Sequence, residues 1–534
     1  MTPLEGHGGD RIAETLRAHG IETVYTLIGG HIFQVLDGLQ KRGMRIVDTR
    51  HEQSAAFAAE AAGKLSRAPG VAILDAGPGV MNSVNAVTAA RFNGSPLAVI
   101  SGRAGQSLFG RGSFQEVDHP AVFGPITKQA MTAFEPDQIV GLVADTLAAA
   151  GSRPRGPAFL DVSLEAMFTP GPFEVAPPVP ASEGALTGDI EEAVRLLAGA
   201  ERPIVMLGSD VWLDGAEKAA RDFVETQRVP VVMNGQGRGV VPSDHALAFN
   251  AARGAALAQA DVIVIVGTPL DFRLKFGAFG EAKVVHVVDH PSRIGAHANP
   301  AAAIAGPLTA ALEALASATV RERDEWVATL RAVEDSKRAS YEAELRSDQV
   351  PIHPVRVYGD LLPLLEPDTI VVIDAGDFGS YAGKYVDVLE PGGWLDPGPY
   401  GCLGTACGYA LAAGTLYPDR RIVVLLGDGA AGFSMGDWDS LIRHGIDVTL
   451  VCGNNAAWGL EKQPMQNLFG YDVVADLRPE TRYDEVMRAL GGHGEFVRAP
   501  DELRPALERA LATRGPSLVN VITDPSISYP RGQG

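Results

Sequence analysis

Residues 427–455 read GDGAAGFSMGDWDSLIRHGIDVTLVCGNN, and the fold turns on how they are parsed. Before them runs RIVVLL, Arg421 to Leu426, a short apolar run of the kind buried on both faces of a parallel sheet, and it stops at Gly427-Asp428-Gly429. A carboxylate therefore stands at the carboxyl end of a strand. Residues Gly432 to His444 fit an amphipathic helix with Phe433, Trp438, Leu441 and Ile442 towards one side, and Gly445 is placed to terminate it. A second buried strand, Val448 to Cys452, ends at Gly453-Asn454-Asn455. In a right-handed βαβ unit both strand ends open on one edge, so Asp428 and Asn455 can converge on one ion although 26 positions lie between them. Two oxygen ligands completed by water and phosphate suit Mg²⁺ better than a transition metal. Gly427 and Gly429 let the backbone approach phosphate oxygens closely. The bland alternative is that GDG and NN are ordinary loop residues after strands.

Around this stretch the chain is ordinary globular protein. Its 534 residues are enough for three or four domains with large cores. No apolar run is long enough to cross a bilayer, and the polar, Gly-rich stretch Met1 to Asp10 is not a secretory leader, so a cytoplasmic enzyme is the expectation. The three cysteines, Cys402, Cys407 and Cys452, have neither a disulfide framework nor a zinc spacing and read as buried small residues. A net charge of −20 argues against nucleic acid or an anionic membrane as partner. Two composition shifts divide the chain: a Pro-rich stretch at 170–188, expected to run extended over the surface, and a charged, helix-like run at about 320–354. The expected fold class is α/β, with three doubly wound parallel-sheet domains spanning residues 1–170, 188–320 and 350–534.

In the first segment, Ile21 to Ile28 reads as a strand ending at Gly29-Gly30, and Met44 to Asp48 as the next, delivering Thr49-Arg50-His51-Glu52 to an alanine-rich helix. Among small apolar neighbours the Glu52 carboxyl is desolvated and its protonated form favoured, as a proton relay near neutrality requires. Equally, a carboxylate at a helix start is favoured by the macrodipole alone. His51 and His119 read as structural hydrogen-bonding groups. The middle segment opens as βαβ without a GxGxxG helix start. In the last segment Ile370 to Asp374 is a buried strand followed by a small-residue loop containing Gly376, Asp377 and Phe378, suited to a diphosphate.

GDG followed after 24 residues by NN resembles the thiamin-diphosphate (ThDP) binding motif. GGH at 29–31, RHEQ at 50–53, AGPGVMN at 76–82 and FQE at 114–116 resemble the pyrimidine-binding half of the acetolactate synthase and 2-hydroxyacyl-CoA lyase group. This resemblance covers nearly the whole chain. It implies that Asp428, Asn455 and the Ala457 carbonyl hold Mg²⁺, and that Glu52 stabilises the imino tautomer of the aminopyrimidine. Gln115 would stand close to the reacting carbonyl, with Gly29, Pro78 and Asn82 around the cofactor and His31 and Trp458 lining the substrate cavity. The Gly401 carbonyl would accept from the exocyclic amine, and Leu403 would wedge the cofactor into its bent shape. GRGVVPSDH at 237–245 and AARGAALAQADVIVIVG at 251–267 resemble a domain that binds ADP or CoA in some relatives and FAD in others. Arg253 is the best phosphate clamp there, with Arg238 and Arg273 behind it. Ala406-Cys407 and Ala430-Ala431 depart from the bulkier or Gly-containing family versions, and the tail YPRGQG is shorter than the lid common in CoA-using relatives.

The resemblance further implies a homodimer or homotetramer with interfacial active sites. Three functions follow from it. The first is a lyase cleaving a 2-hydroxyacyl-CoA to an aldehyde or ketone and formyl-CoA. The second is a carboligase that decarboxylates pyruvate or another 2-oxoacid, and the third a non-catalytic ThDP-fold binding protein. The middle segment favours the first, while the outer motifs allow the second equally.

Overall fold

Each β-branched run becomes a strand because its side chains are buried on both faces of a sheet, the setting of parallel sheets covered by helices. The computed structural model describes residues 4–175, 177–178, 184–295 and 297–530. Among these residues there are three six-stranded sheets. The N-terminal sheet runs Arg45–Asp48, Thr23–Thr26, Gly70–Leu74, Leu97–Arg103, Ala158–Ser163, Ala130–Ala133, every pair parallel. The C-terminal sheet runs Trp394–Leu395, Ile370–Ile373, Ile422–Gly427, Val448–Asn454, Ser517–Ile522, His493–Val497, again all parallel. Numbered by chain order within each sheet, both follow 2-1-3-4-6-5. The winding reverses between strands 1 and 3, and that switch point opens a crevice at the carboxyl ends. The central sheet runs Val231–Met233, Pro203–Leu207, Val262–Val266, Lys283–Val288, Ala302–Ala305 in parallel and closes with the antiparallel pair Thr187–Gly188. The expected class, three parallel-sheet α/β domains, is what the chain adopts.

Several local expectations are corrected. The helix after Gly427 does not wait for Gly432: Asp428–Ser434 is already helical, a 3₁₀ turn at Met435–Asp437 interrupts it, and Trp438–Arg443 completes it. Trp438 and Leu441 are buried as expected, but Phe433 is exposed. The Pro-rich junction is extended, yet its ends are zipped into sheets: Gly171–Phe173 pairs with Leu4–Gly6, and Thr187–Gly188 with Ala305 and Ile304. Residues 176 and 179–183 of that junction, and 531–534 of the tail, lie outside the described residues. The charged run forms the helix Asp324–Leu345.

The described chain packs as two compact units. One comprises Met1–Ala181, Pro397–Asp419 and Ala431–Asp447; the other comprises Ser182–Asp396, Arg420–Ala430 and Val448–Gly534. Within the first, the helix Ala406–Leu416 lies against the helix Glu52–Ser66 so closely that a Cβ on Gly408 would meet the Ser54 carbonyl at 2.7 Å and Phe57 Cβ at 2.8 Å. Ala406, Cys407, Ala430 and Ala431 are all buried. Tyr409 joins the two helices by buried hydrogen bonds, accepting from Lys64 Nζ at 2.9 Å and donating to Glu60 Oε2 at 3.0 Å. The three cysteines are buried, and none is in a disulfide.

Candidate functional site

The first cluster forms where strands 1 and 3 of the N-terminal sheet end. Strand Thr23–Thr26 leads to Gly29 and His31, and strand Gly70–Leu74 to Asp75 and the turn Ala76-Gly77. Asp75 Oδ1 accepts the His31 backbone N–H at 2.8 Å, and the His31 ring Nδ1 lies 3.4 Å from the same oxygen. Burial alone would push the Asp75 carboxyl up, but its hydrogen bonds from His31 hold it below the usual carboxylate range. Gly29 permits this approach, since a Cβ there would fall 2.1 Å from the Asp75 carboxyl carbon. Beyond the turn, Pro78 opens the short helix Pro78–Met81, and Asn82 at its end donates from Nδ2 to Glu52 Oε2 at 2.9 Å. Glu52 is the first residue of its helix and is half-buried, with His51 as N-cap accepting from the Gln53 N–H. The sealing expected from its alanine-rich neighbours belongs to positions further along, where Ala55, Ala56, Ala58 and Ala59 are buried.

Gln115 lies over Gly77: a Cβ on Gly77 would come within 2.8 Å of Gln115 Cβ. Its own backbone is left-handed, with φ +58°, and its Oε1 is buried with no hydrogen-bond partner among the described residues. Phe114 stacks on the His31 ring at 6.3 Å between centroids. The loop carrying Gly401 and Leu403 belongs to the same unit: the Cys402 thiol lies 3.2 Å from Asn85 Oδ1, and a Cβ on Gly404 would stand 3.7 Å from Gln53 Nε2. Gly401 has φ +73° and open space where a Cβ would sit; Leu403 is half-buried.

In the second unit the ends of strands 1, 3 and 4 of the C-terminal sheet carry the other cluster. Gly376, at φ +123°, is the N-cap of the helix Asp377–Tyr385 and brings no side-chain cap, leaving a helix start of the kind that receives anions. Asp428 is 3 % exposed, and its Oδ1 accepts from the Gly429 N–H at 3.0 Å. Burial pushes its carboxyl up to about 7, with the Asp377 charge adding to the rise, although backbone hydrogen bonds oppose it. No basic side chain among the described residues pairs with it. Asn455, 8 % exposed, accepts the Ala457 N–H at Oδ1 (3.1 Å) and approaches Asp377 Oδ2 at 3.5 Å through Nδ2. Asp377 is itself held by the Tyr529 backbone N–H. Phe378 presses against Gly453, where a Cβ would lie 2.1 Å from its ring, and Trp458 against Gly429, where the gap would be 2.5 Å. A buried carboxylate with an amide oxygen nearby and no cationic side chain fits a hard divalent cation. Among the described residues no group of three His, Cys, Asp or Glu is placed to hold a metal, so such an ion needs further oxygens, from amide side chains, backbone carbonyls or a bound ligand.

Also in the second unit, Arg238, Arg253 and Arg273 line one cavity of about 860 Å³ together with Asn234, Trp394 and Tyr529. They are not equivalent. Arg273 is tied to Asp271 at 2.6 Å, while Arg238 donates to the Gly383 carbonyl at 2.8 Å and lies over the Trp394 ring. Arg253 forms no ion pair among the described residues. Burial lowers its pKa, with Arg273 adding to the effect; burial likewise brings Arg238 down to about 10, helped by Arg253. Buried guanidinium groups disfavoured in this way, Arg253 and Arg238, are relieved by an anion.

Asp75 was overlooked in the sequence, yet the rule applied to Asp428, a carboxylate directly after a buried strand, would have found it. Asp161 and Arg103, buried behind the Gly77 turn, carry no sequence signal of their own.

Family models match the chain in three places: the N-terminal TPP binding domain of thiamine pyrophosphate enzymes at residues 6–122, their central domain at 190–315, and their C-terminal TPP binding domain at 374–521. The chain is 51% identical over 536 residues to a protein named acetolactate synthase large subunit IlvG from Mycobacterium tuberculosis, covering 98% of this chain and 97% of that one. A probable acetolactate synthase of Mycobacterium bovis matches to the same extent. Proteins named 2-hydroxyacyl-CoA lyase 2 match at 32%: that of Caenorhabditis elegans over 97% of this chain and 89% of its own, that of Homo sapiens over 93% and 86%.

Proposed function

The chain belongs to the thiamin-diphosphate-dependent enzymes, and from that premise we propose a carboligase of the acetolactate synthase type, which decarboxylates pyruvate or another 2-oxoacid and joins the remaining fragment to a second carbonyl compound. The observation that carries this reading is the 51% identity along 98% of the chain to proteins bearing that name, against 32% for the lyases. The 2-hydroxyacyl-CoA lyase placed first on the likeness of the central region becomes the second reading.

When bound, thiamin diphosphate supplies a carbon nucleophile and an electron sink. Glu52 would hold and return a proton at the aminopyrimidine ring, with its carboxyl turned by the Asn82 amide. Gln115 would hydrogen-bond the substrate carbonyl oxygen as charge develops there, with His31 and Trp458 lining the cavity. Gly29 and Pro78 shape the approach to the ring, the Gly401 carbonyl would accept from its amine, and Leu403 would set its bend. Asp428, Asn455 and the Ala457 carbonyl would hold Mg²⁺, with Gly376, Asp377, Phe378, Gly427 and Gly429 giving backbone access to the diphosphate. The cationic cavity around Arg253 fits a phosphate-bearing ligand, an ADP or CoA moiety or FAD. We also place the enzyme in the cytoplasm, divided at 1–170, 188–320 and 350–534, as a homodimer or homotetramer with active sites at subunit interfaces; no helix among the described residues is long and apolar enough to cross a membrane.

The purified protein with ThDP, Mg²⁺ and two molecules of pyruvate should release one CO₂ and form a 2-hydroxy-3-oxo acid. Inert pyruvate together with cleavage of a 2-hydroxyacyl-CoA would return the assignment to the lyase. Mass spectrometry of the denatured protein identifies whatever the central cavity holds.

A further inference from the structure

Three buried side chains that the proposed chemistry does not use grip the Gly77–Gln115 turn from behind. The Gly77 backbone N–H donates to His119 Nε2 at 3.0 Å. His119 Nδ1 lies 3.0 Å from Asp161 Oδ2, and the same oxygen accepts from Arg103 Nη1 at 3.0 Å. His119 and Asp161 have no exposed surface, and Arg103 is 6 % exposed. A backbone N–H can only donate, so His119 Nε2 presents its lone pair and the ring proton sits on Nδ1, facing the carboxylate. A carboxylate behind an imidazole fixes its tautomer and orientation, and here Arg103 in turn supplies the charge that makes a buried Asp161 carboxylate tenable.

What lies against this turn is conformationally costly. Gly77 itself, at φ +58°, ψ −121°, is in backbone that glycine adopts readily, but Gln115, which has a side chain, is also at φ +58°. Such backbone persists only where its surroundings over-determine it. Gly77 leads into the helix Pro78–Met81, whose following residue Asn82 donates to Glu52, so one hydrogen bond at Gly77 bears on both candidate reactive groups.

We propose that His119, locked in its Nδ1–H tautomer by Asp161 and Arg103, is a positioning residue whose Nε2 lone pair sets the Gly77 turn and through it Gln115 and the Asn82–Glu52 contact. The proposal rests on the reading of Glu52 and Gln115 given above.

Two substitutions separate the hydrogen bond from the packing of the ring, which stands edge-on to Phe159 at 6.2 Å. His119→Gln puts an amide oxygen near where Nε2 stood and can still accept from Gly77. His119→Asn puts an amide nitrogen near where Nδ1 stood, facing Asp161, and offers Gly77 nothing; both lose the ring. Amide hydrogen exchange of the Gly77 peptide in the cofactor-free protein should speed up about tenfold in His119→Asn, the scale of one lost buried hydrogen bond. With saturating ThDP and Mg²⁺, deuterium exchange at the cofactor's C2 should slow by roughly 10- to 100-fold at unchanged ThDP affinity, the scale of a small misplacement. His119→Gln should stay within about threefold of wild type on both readouts, since its acceptor is retained. Equal damage in the two variants would make His119 a packing residue, and no damage in either would make the clamp idle; both overturn the proposal. Should neither fold, Asp161→Asn keeps the ring and admits the Nε2–H tautomer, and unaltered Gly77 protection there overturns it equally. Glu52→Gln measured alongside keeps the failures apart: unchanged C2 exchange in that variant removes the reading of Glu52, while Gly77 protection still judges the clamp.

Discussion

Replacing Asp428 with Asn should stabilise the cofactor-free protein and at the same time abolish its response to Mg²⁺ and ThDP. Burial pushes this carboxyl from an ordinary 3.8 up to about 7. A group whose folded-state pKa is raised binds its proton more tightly when folded. The stability it contributes is therefore full below about pH 4 and is lost as pH rises towards 7, above which both states are ionised. At about 1.4 kcal/mol per pH unit, the gap between 3.8 and about 7 makes the ionised carboxylate a burden of about 4 kcal/mol at pH 8, taken as a ceiling, and less than half of that at pH 5. Asn has the same shape and can keep the acceptor that Gly429 N–H uses, yet it has no charge to desolvate. Scanning calorimetry after removal of metal with EDTA should show the Asn variant melting higher than wild type at pH 8, by up to about 4 °C for a chain of 534 residues. The difference should shrink at pH 5. Adding Mg²⁺ and ThDP should then raise the wild-type transition and leave the variant where it was, because binding stabilises only the state that binds. A variant that melts no higher than wild type at pH 8 without metal, or that still gains from Mg²⁺ and ThDP, refutes the placement of the ion at Asp428.

Three further outcomes are expected. Glu52→Gln keeps the size and the Asn82 contact but removes the transferable proton, so ThDP should bind normally while C2 exchange and turnover fall by about 10² to 10⁴; exchange at the wild-type rate would leave Glu52 as a helix-start residue. Gly408→Ala would thrust a Cβ to 2.7 Å from the Ser54 carbonyl, and because that atom is backbone the helices must part, at a cost of about 1 to 3 kcal/mol; an unchanged melting temperature would contradict the close packing. Arg253→Ala should weaken binding of whichever phosphate-bearing ligand copurifies by about 1.5 to 3 kcal/mol, the worth of a hydrogen bond to a charged group, seen by titration calorimetry, with C2 exchange unaffected.

The legible parts of this molecule are those whose cause is local. Strands could be placed because a run such as RIVVLL has no polar face to expose, and the site followed because strand ends in a doubly wound sheet converge. What escaped notice depends on distant partners. The Pro-rich junction forms strands at its ends because Leu4–Gly6 and Ala302–Ala305 offer unpaired edges. Gln115 holds a left-handed backbone in contact with Gly77, and nothing in the string FQE announces it. His119 looked bland because Asp161 and Gly77, each 42 positions away, are adjacent only in the fold. The helix beginning at Asp428 was hidden by the glycines around it, which read as loop while the strand end passes straight into a helical turn.

The shared strand order makes a comparison that neither sheet offers alone. Strand 3 of each is followed at once by a buried carboxylate, Asp75 in one and Asp428 in the other. The two occupy equivalent ground, at the carboxyl end beside the switch point, and both suffer desolvation, the largest influence on each. They part in what faces them. His31 supplies Asp75 with a backbone N–H and a nearby ring nitrogen, and its carboxyl ends below the usual range. Asp428 receives only backbone donors, with the like charge of Asp377 close by, and ends near 7. A carboxylate satisfied within the protein organises the turns around it and has no call for an ion. One left with an unfavourable charge becomes stable only when a cation arrives, and hard oxygen donors select a small divalent one. On the function proposed above, the N-terminal switch point would receive the neutral ring and the C-terminal one the charged diphosphate, a division of labour set by the partners of two aspartates rather than by the fold they share.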